Sequence, residues 1–299
     1  MSAPFPILKV AAAMRGDVEQ LGSKPKFWFK FQGENWLFKE ARKNTGEDWS
    51  EKVASEVASL LGLPTHHADL AVWEGRRGCA VKSFVKSNQI VLIHGNELLA
   101  GLITGYDEAQ VRGQADHTFD NIVAVLEKLF DSEKARRTAA SRMAGYVVLD
   151  ALIGNTDRHH QNWGVLLEQK VMPGQQTTYL PQVAPTFDHA SSLGRELSDE
   201  VRERHMREKT MERYIRKGRG GIFENTQSKH GMSPMALARM AAQRYPDFFK
   251  PWQTRIADLP EAALVDLLRR VPDARISIAG REFALSLLAT SRKMIMEAP

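Results

Sequence analysis

Over its first ninety residues the chain alternates apolar and polar positions with the period of strands. Phe27, Phe29 and Phe31 alternate with Trp28 and Lys30, the pattern of a strand with one wetter face. A turn at Gly33-Glu34-Asn35 separates it from a second strand at residues 36–40, so the pair is expected to form a hairpin. The period then lengthens. Val53, Val57, Leu60 and Leu61 recur at helical spacing, Asp48 or Ser50 can cap the start, and Gly62 and Pro64 stop it, predicting a helix over 48–61. Two apolar runs, 68–73 and 78–85, flank Glu74-Gly75-Arg76-Arg77 and read as another hairpin, with residues 81–85 leading into a hinge. From about residue 95 the pattern turns helical, most clearly over 116–130 and 132–153, the latter capped by Ser132 or Asp131. Residues 154–194 are irregular, with short strands expected at 163–167, 177–180 and 185–187. From residue 199 to the end helices return, broken near residues 218–221 and at Pro260. The expected architecture is α+β and two-lobed, a β-rich N-lobe over 1–92 and a mostly α-helical C-lobe over 93–299.

Composition narrows the class without naming a chemistry. An apolar fraction of 43% and a charged fraction of 26% are those of a soluble globular protein. No apolar run reaches the roughly 20 residues a membrane helix needs, and the first residues lack the basic head of a signal peptide, so neither is expected. The single cysteine, Cys79, rules out an internal disulfide and a cysteine-rich zinc site, and fits a reducing, cytoplasmic setting. The formal charge of +5 is too small to choose a partner. The basic stretch 202–219 reads as a solvated helix face, which argues against direct nucleic-acid binding. The doublets His66-His67 and His159-His160 do not suggest zinc, because adjacent side chains diverge in regular structure.

Chemistry concentrates where the long helix ends. The stretch Ile153-Gly154-Asn155-Thr156-Asp157-Arg158-His159-His160-Gln161-Asn162 is a dense polar loop between a helix and an apolar strand. Phosphoryl transfer needs a carboxylate to orient or deprotonate the acceptor hydroxyl, and oxygen ligands for Mg²⁺. Asp157 and Asn162, five residues apart, have the spacing of the protein-kinase catalytic loop. A short strand then ends on Asp188, a carboxylate placed to complete a Mg²⁺ site with Asn162. Upstream, Lys39 at a strand end and Glu56 in the next helix suit the ion pair that holds the α- and β-phosphates of ATP. The segment Gly22-Ser23-Lys24-Pro25-Lys26 is the candidate phosphate-covering loop. Loop, Lys, Glu, Asp-x-x-x-x-Asn and Asp follow one another in the kinase order.

At these residues the sequence resembles the HipA-like serine/threonine kinases of bacterial toxin–antitoxin systems, from about residue 21 to about residue 197. The resemblance implies a kinase of cellular protein with ATP and Mg²⁺ as cofactors. Asp157 would be the base, Asn162 and Asp188 the metal ligands, and Gly22, Ser23, Lys24, Lys26, Lys39 and Glu56 the ATP-binding set. It also implies an antitoxin protein as a partner. The chain resembles a compact branch without the extra N-terminal subdomain of larger members. Two departures stand out. Glu19 or Gln20 falls about where the regulatory serine of the loop would lie, and the metal motif reads Phe187-Asp188-His189-Ala190 rather than Asp-Phe-Gly. Asp157-Arg158-His159 is also similar to the loop of phosphatidylinositol kinases, where a His takes part in the chemistry, so His159 is a second candidate base. That similarity motivates a lipid or small-molecule acceptor as the alternative. The departure at His189-Ala190 motivates a nucleotide-binding pseudokinase.

Overall fold

A computed structural model describes residues 2–17, 26–170 and 177–297 of the chain. Among them, the strands β1 (Ile7–Val10), β2 (Lys26–Phe31), β3 (Glu34–Glu40), β4 (Ala68–Trp73) and β5 (Arg76–Lys82) make a five-stranded sheet in the order β1-β4-β5-β3-β2. The expected hairpins are both present. Their turns are Gln32-Gly33 and Glu74-Gly75, each with two positive φ angles, the mirror-image turn whose twist matches that of the strands. The first turn therefore falls one residue earlier than the sequence suggested, and Asn35 belongs to β3. β1, which no alternation announced, pairs parallel to β4.

The sheet has two unlike faces. Phe27, Phe29, Trp36, Phe38, Trp73 and their neighbours form a separate aromatic cluster on one. On the other lies helix α1 (Glu47–Leu60), whose Val53 and Val57 join the main core with Leu70 of β4. Neither Asp48 nor Ser50 caps α1. Gly46 occupies the cap position, Asp48 is buried against Arg77 (2.8 Å) and Arg275 (2.7 Å), and the Ser50 hydroxyl donates to the Ser192 carbonyl at 3.0 Å. The polar first turn is spent on tertiary partners because the helix start is buried.

Beyond β5 come β6 (Ile90–His94), α2 (Gly95–Ala100), α3 (Phe119–Leu129), α4 (Glu133–Ile153), β7 (Gly164–Lys170) and β8 (Thr178–Val183). β6, β7 and β8 form a three-stranded antiparallel sheet in that order. β6 was not legible as a strand in the sequence, and the strand expected at 185–187 is only a one-residue bridge between Thr186 and Thr65. Ser132 caps α4 through its side chain, as the sequence suggested, and Gly154 ends it in the left-handed conformation (φ 67°). Six further helices follow: α5 (Asp199–Arg207), α6 (Met211–Lys217), α7 (Pro234–Arg244), α8 (Pro246–Asp258), α9 (Glu261–Arg270) and α10 (Ile278–Met296). They pack with α4 around the main core, in which Phe249, Phe283 and Leu287 are fully buried. A mixed sheet with its helix, followed by a helical lobe, is a kinase-like fold. Among the described residues, no helix is long and apolar enough to cross a membrane.

Candidate active site

Three segments meet between the five-stranded sheet and α4. β3 brings Lys39, which sits opposite Lys26 on β2 and Cys79 on β5. Because Trp36 and Phe38 turn into the aromatic cluster, Lys39 turns to the face that α1 covers. Its Nζ lies 3.1 Å from Asp188 Oδ1 and 3.9 Å from Glu51 Oε2. Burial opposes the ammonium charge, but the Asp188 and Glu51 carboxylates outweigh it and hold the Lys39 pKa above the usual lysine range. Burial likewise works against the Asp188 carboxylate, and Lys39 brings its pKa down to about 2.

The helix carboxylate beside Lys39 is thus Glu51, not Glu56. Glu56 pairs with Lys52 on its own helix at 2.6 Å. Five residues are about 140° of helical rotation, so both cannot face β3, and the fully buried position belongs to Glu51. Glu51 Oε1 accepts the backbone N–H of His189 at 3.0 Å and stands 2.9 Å from His66 Nε2. Despite burial, Lys39, His66 and His189 together keep the Glu51 carboxyl well below its ordinary range.

Asp188 has a positive φ of 60°, a strained conformation for a residue with a Cβ. Lys39 on its side chain and Glu51 on the following N–H hold it there. The segment before it is fixed to the N-terminal half by His66 N–H on the Thr186 carbonyl (3.1 Å) and Thr186 N–H on the Pro64 carbonyl (2.9 Å).

The loop after α4 is built around Arg158, a residue the sequence reading did not single out for this. Its guanidinium is buried and grips Asp150 with two bonds of 2.8 Å, donates to Thr186 Oγ1 at 3.1 Å and reaches the Phe187 carbonyl at 3.3 Å. Asn155 Nδ2 adds a bond to Asp150 Oδ1 at 2.8 Å. A lone Asp inside the apolar run 147–153 was the available signal, since a buried carboxylate requires a partner. Arg158 thereby fastens the loop of Asp157 and Asn162 to the segment of Asp188. Asn162 donates its Nδ2 to the Asp157 carbonyl at 2.8 Å, which commits the amide nitrogen inward and leaves Oδ1 as the oxygen for a hard cation. Asp157 is half-buried and accepts a long bond (3.4 Å) from the Ser191 hydroxyl. His159 stands next to it, its Nδ1 accepting from Gln161 N–H at 3.3 Å. Burial lowers the pKa of this imidazole, against the pull of Asp157 and Asp188.

Lys39 is thus paired with Asp188, Asn162 with Asp157, and His159 is near enough to both Asp157 and Asp188 to feel their charge. Lys26 is close enough to Asp188 to favour its charge. Gly22, Ser23 and Lys24 lie outside the described residues. The oxygen donors present, a carboxylate and an amide, suit Mg²⁺, and the ammonium of Lys39 suits a phosphate.

Behind the loop, His117 accepts from Trp163 Nε1 at 3.0 Å through Nε2 and donates from Nδ1 to the Gly221 carbonyl at 2.7 Å. A proton on Nε2 would set two N–H groups against each other, and burial pushes the pKa down to about 3. The unfolded chain takes that proton near 6.5. The sign follows: the neutral ring contributes stability that is fully present above about pH 6.5 and lost as pH falls toward 3, at about 1.4 kcal/mol per unit. Urea unfolding at about pH 7.5 and about pH 5.5 should show this loss, and His117→Asn should reduce the slope. An unchanged slope would refute the assignment.

The HipA-like C-terminal domain profile matches residues 18–252. The serine/threonine-protein kinase CtkA of Helicobacter pylori is 29% identical over 153 residues, which are 51% of this chain and 42% of that protein. The chain thus matches less than half the length of this curated relative. The crystal structure of a Helicobacter pylori proinflammatory kinase CtkA superposes with a TM-score of 0.78, at 18% identity, over 98% of this chain and 96% of that one. The HipA, HipB and operator DNA complex of a Shewanella oneidensis toxin–antitoxin system is similar at a TM-score of 0.55 and 12% identity, over 93% of this chain and 63% of that one.

Proposed function

Because the chain belongs to the HipA-like C-terminal domain family, we propose that it is an ATP- and Mg²⁺-dependent kinase that phosphorylates serine or threonine hydroxyls of a cellular protein. The observation that carries the reading is the half-buried Lys39 held between Asp188 and the buried Glu51. Bound Mg²⁺ supplies charge neutralisation for the transferring phosphoryl group, and Asn162 and Asp188 are the residues that would hold it. Lys39, kept fully charged, holds nucleotide phosphate. Glu51 keeps the ammonium from settling wholly on Asp188. Asp157 orients the acceptor hydroxyl and receives its proton, with His159 beside it as the other group able to do so. The β-rich part over 1–92 and the helical part over 93–299 would act as the two lobes around the nucleotide, with Gly22, Ser23, Lys24 and Lys26 in the ATP-binding set. A cytoplasmic location and an antitoxin partner extend the same reading, the latter prompted by the HipA–HipB assembly.

The test is incubation of the pure protein with Mg²⁺ and γ-labelled ATP, with and without a cell lysate, lipid vesicles or a panel of small alcohols. Label in protein supports the reading. Label in lipid or metabolite alone would move the acceptor class, and ATP binding without any transfer would leave a pseudokinase. Within this test the two helix glutamates should separate. Glu51→Gln is expected to lower transfer at least about tenfold, the size of a lost charge-assisted contact. Glu56→Gln should leave it within about twofold, since its partner Lys52 also has Asp69 at 3.2 Å. Equal effects from both substitutions would refute the pairing.

A further inference from the structure

Behind Lys39 lies a cluster that the phosphotransfer reading uses only in part. Glu51 of α1, His66 of the α1–β4 link and His189 next to Asp188 are all buried, and each offers a ligand atom within 4.8 Å of the others. Glu51 Oε1 is 2.9 Å from His66 Nε2 and 3.7 Å from His189 Nδ1. These separations bracket the roughly 3.3 Å between neighbouring ligands of a tetrahedral ion with bonds of about 2.0–2.1 Å. The two imidazoles are stacked, their centroids 5.2 Å apart and their planes 14° from parallel.

The far side of each ring is already engaged. His66 Nδ1 faces the Thr186 carbonyl at 3.1 Å, which can only accept, so that nitrogen carries a proton and Nε2 is the atom turned to Glu51. His189 Nε2 is 2.8 Å from Thr186 Oγ1. Such outer bonds orient metal-binding imidazoles. The inner atoms, by contrast, are orphaned. His66 Nε2, His189 Nδ1 and Glu51 Oε2 are buried with no hydrogen-bond partner assigned, and His66 Nε2 lies 2.9 Å from Glu51 Oε1. Lone pairs gathered in this way call for a cation. The local field does not oppose a cation: Glu51 and Asp188 carry two negative charges against those of Lys39 and Lys26, the latter acting through Asp188, and Arg158 is balanced by Asp150. Read as neighbours in sequence, His66 and His67 diverge and suggest nothing, because the cluster assembles from three distant segments.

We propose that Glu51, His66 and His189 form a binding site for a transition-metal ion of zinc's class, distinct from the Mg²⁺ ligands. Two imidazoles and one carboxylate are a donor set that Zn²⁺ favours and Mg²⁺ does not. The ion ties α1 to the segment that carries Asp188. Binding does not depend on the kinase reading, so the two can fail separately.

The full chain, stripped with a chelator, would be dialysed against Zn²⁺ alone and Co²⁺ alone. One ion per chain, intense ligand-field bands of tetrahedral cobalt and a higher melting temperature with Zn²⁺ are expected. His66→Asn and His189→Asn should each weaken binding at least tenfold, and His67→Ala with His230→Ala, two exposed histidines, should not. Circular dichroism identifies any variant that fails to fold, and Glu51→Gln then replaces it. No saturable binding by the wild type, an octahedral cobalt spectrum, or full binding by the folded His66→Asn protein would overturn the site.

Discussion

An Asp157→Asn protein should fold like the wild type and lose phosphotransfer by a factor of about 10²–10⁴, the usual contribution of a positioned general base. The fold is expected to survive because the residue's structural work is done by its backbone. The Asp157 carbonyl accepts Asn162 Nδ2 at 2.8 Å and His159 N–H at 2.8 Å, and its N–H donates to Asn155 Oδ1 at 3.1 Å. The side chain itself is half-buried, and its bond from Ser191 is long. Asparagine keeps that shape and removes the charge that receives a proton. Transfer of label from γ-labelled ATP, measured beside His159→Ala, decides between the two candidate bases. A wild-type rate for Asp157→Asn with a collapsed rate for His159→Ala would reassign the base to His159. Wild-type rates for both would remove this loop from the chemistry.

The second large effect is on stability. Arg158→Met should destabilise the protein by about 3–5 kcal/mol, because it leaves the buried Asp150 carboxylate without its partner. The same change removes the bonds from Arg158 to Thr186 and Phe187, so the two halves of the site lose their common anchor. The double variant Asp150→Leu with Arg158→Met should recover a good part of the lost stability, since a buried ion pair can be replaced by well-packed apolar groups. It should not recover activity. Chemical denaturation of the two single variants and the double variant, read as a double-mutant cycle, checks this. Arg158→Met with unchanged stability would mean that the Asp150 carboxylate does not need the pair.

These two residues show how differently parts of the site can be read. Asp157 and Asn162 could be proposed from a local pattern: a long helix, a glycine stop, a polar loop and an apolar strand. Arg158, between them, was visible only as part of a motif. Its role depends on Asp150 one turn before the helix end and on Thr186 twenty-eight residues later. Lys39 was found at its strand end, but its helix partner was misplaced by five positions. A short stretch with polar residues on several faces has no unique phase, and α1 is buried on most of its surface.

The sequence by itself determined the local elements: the two hairpins, the Ser132-capped helix α4 and the carboxylate–amide spacing of the loop. Period, turn residues and caps act over a few residues, and the chain carries them wherever it is placed. Only the tertiary structure decided the long-range matters. It paired β1 with β4, chose Glu51 over Glu56, bent Asp188 into a left-handed conformation and gathered His66 and His189 around Glu51. Each of these depends on which distant surfaces become buried together, and burial sets which charges must find partners.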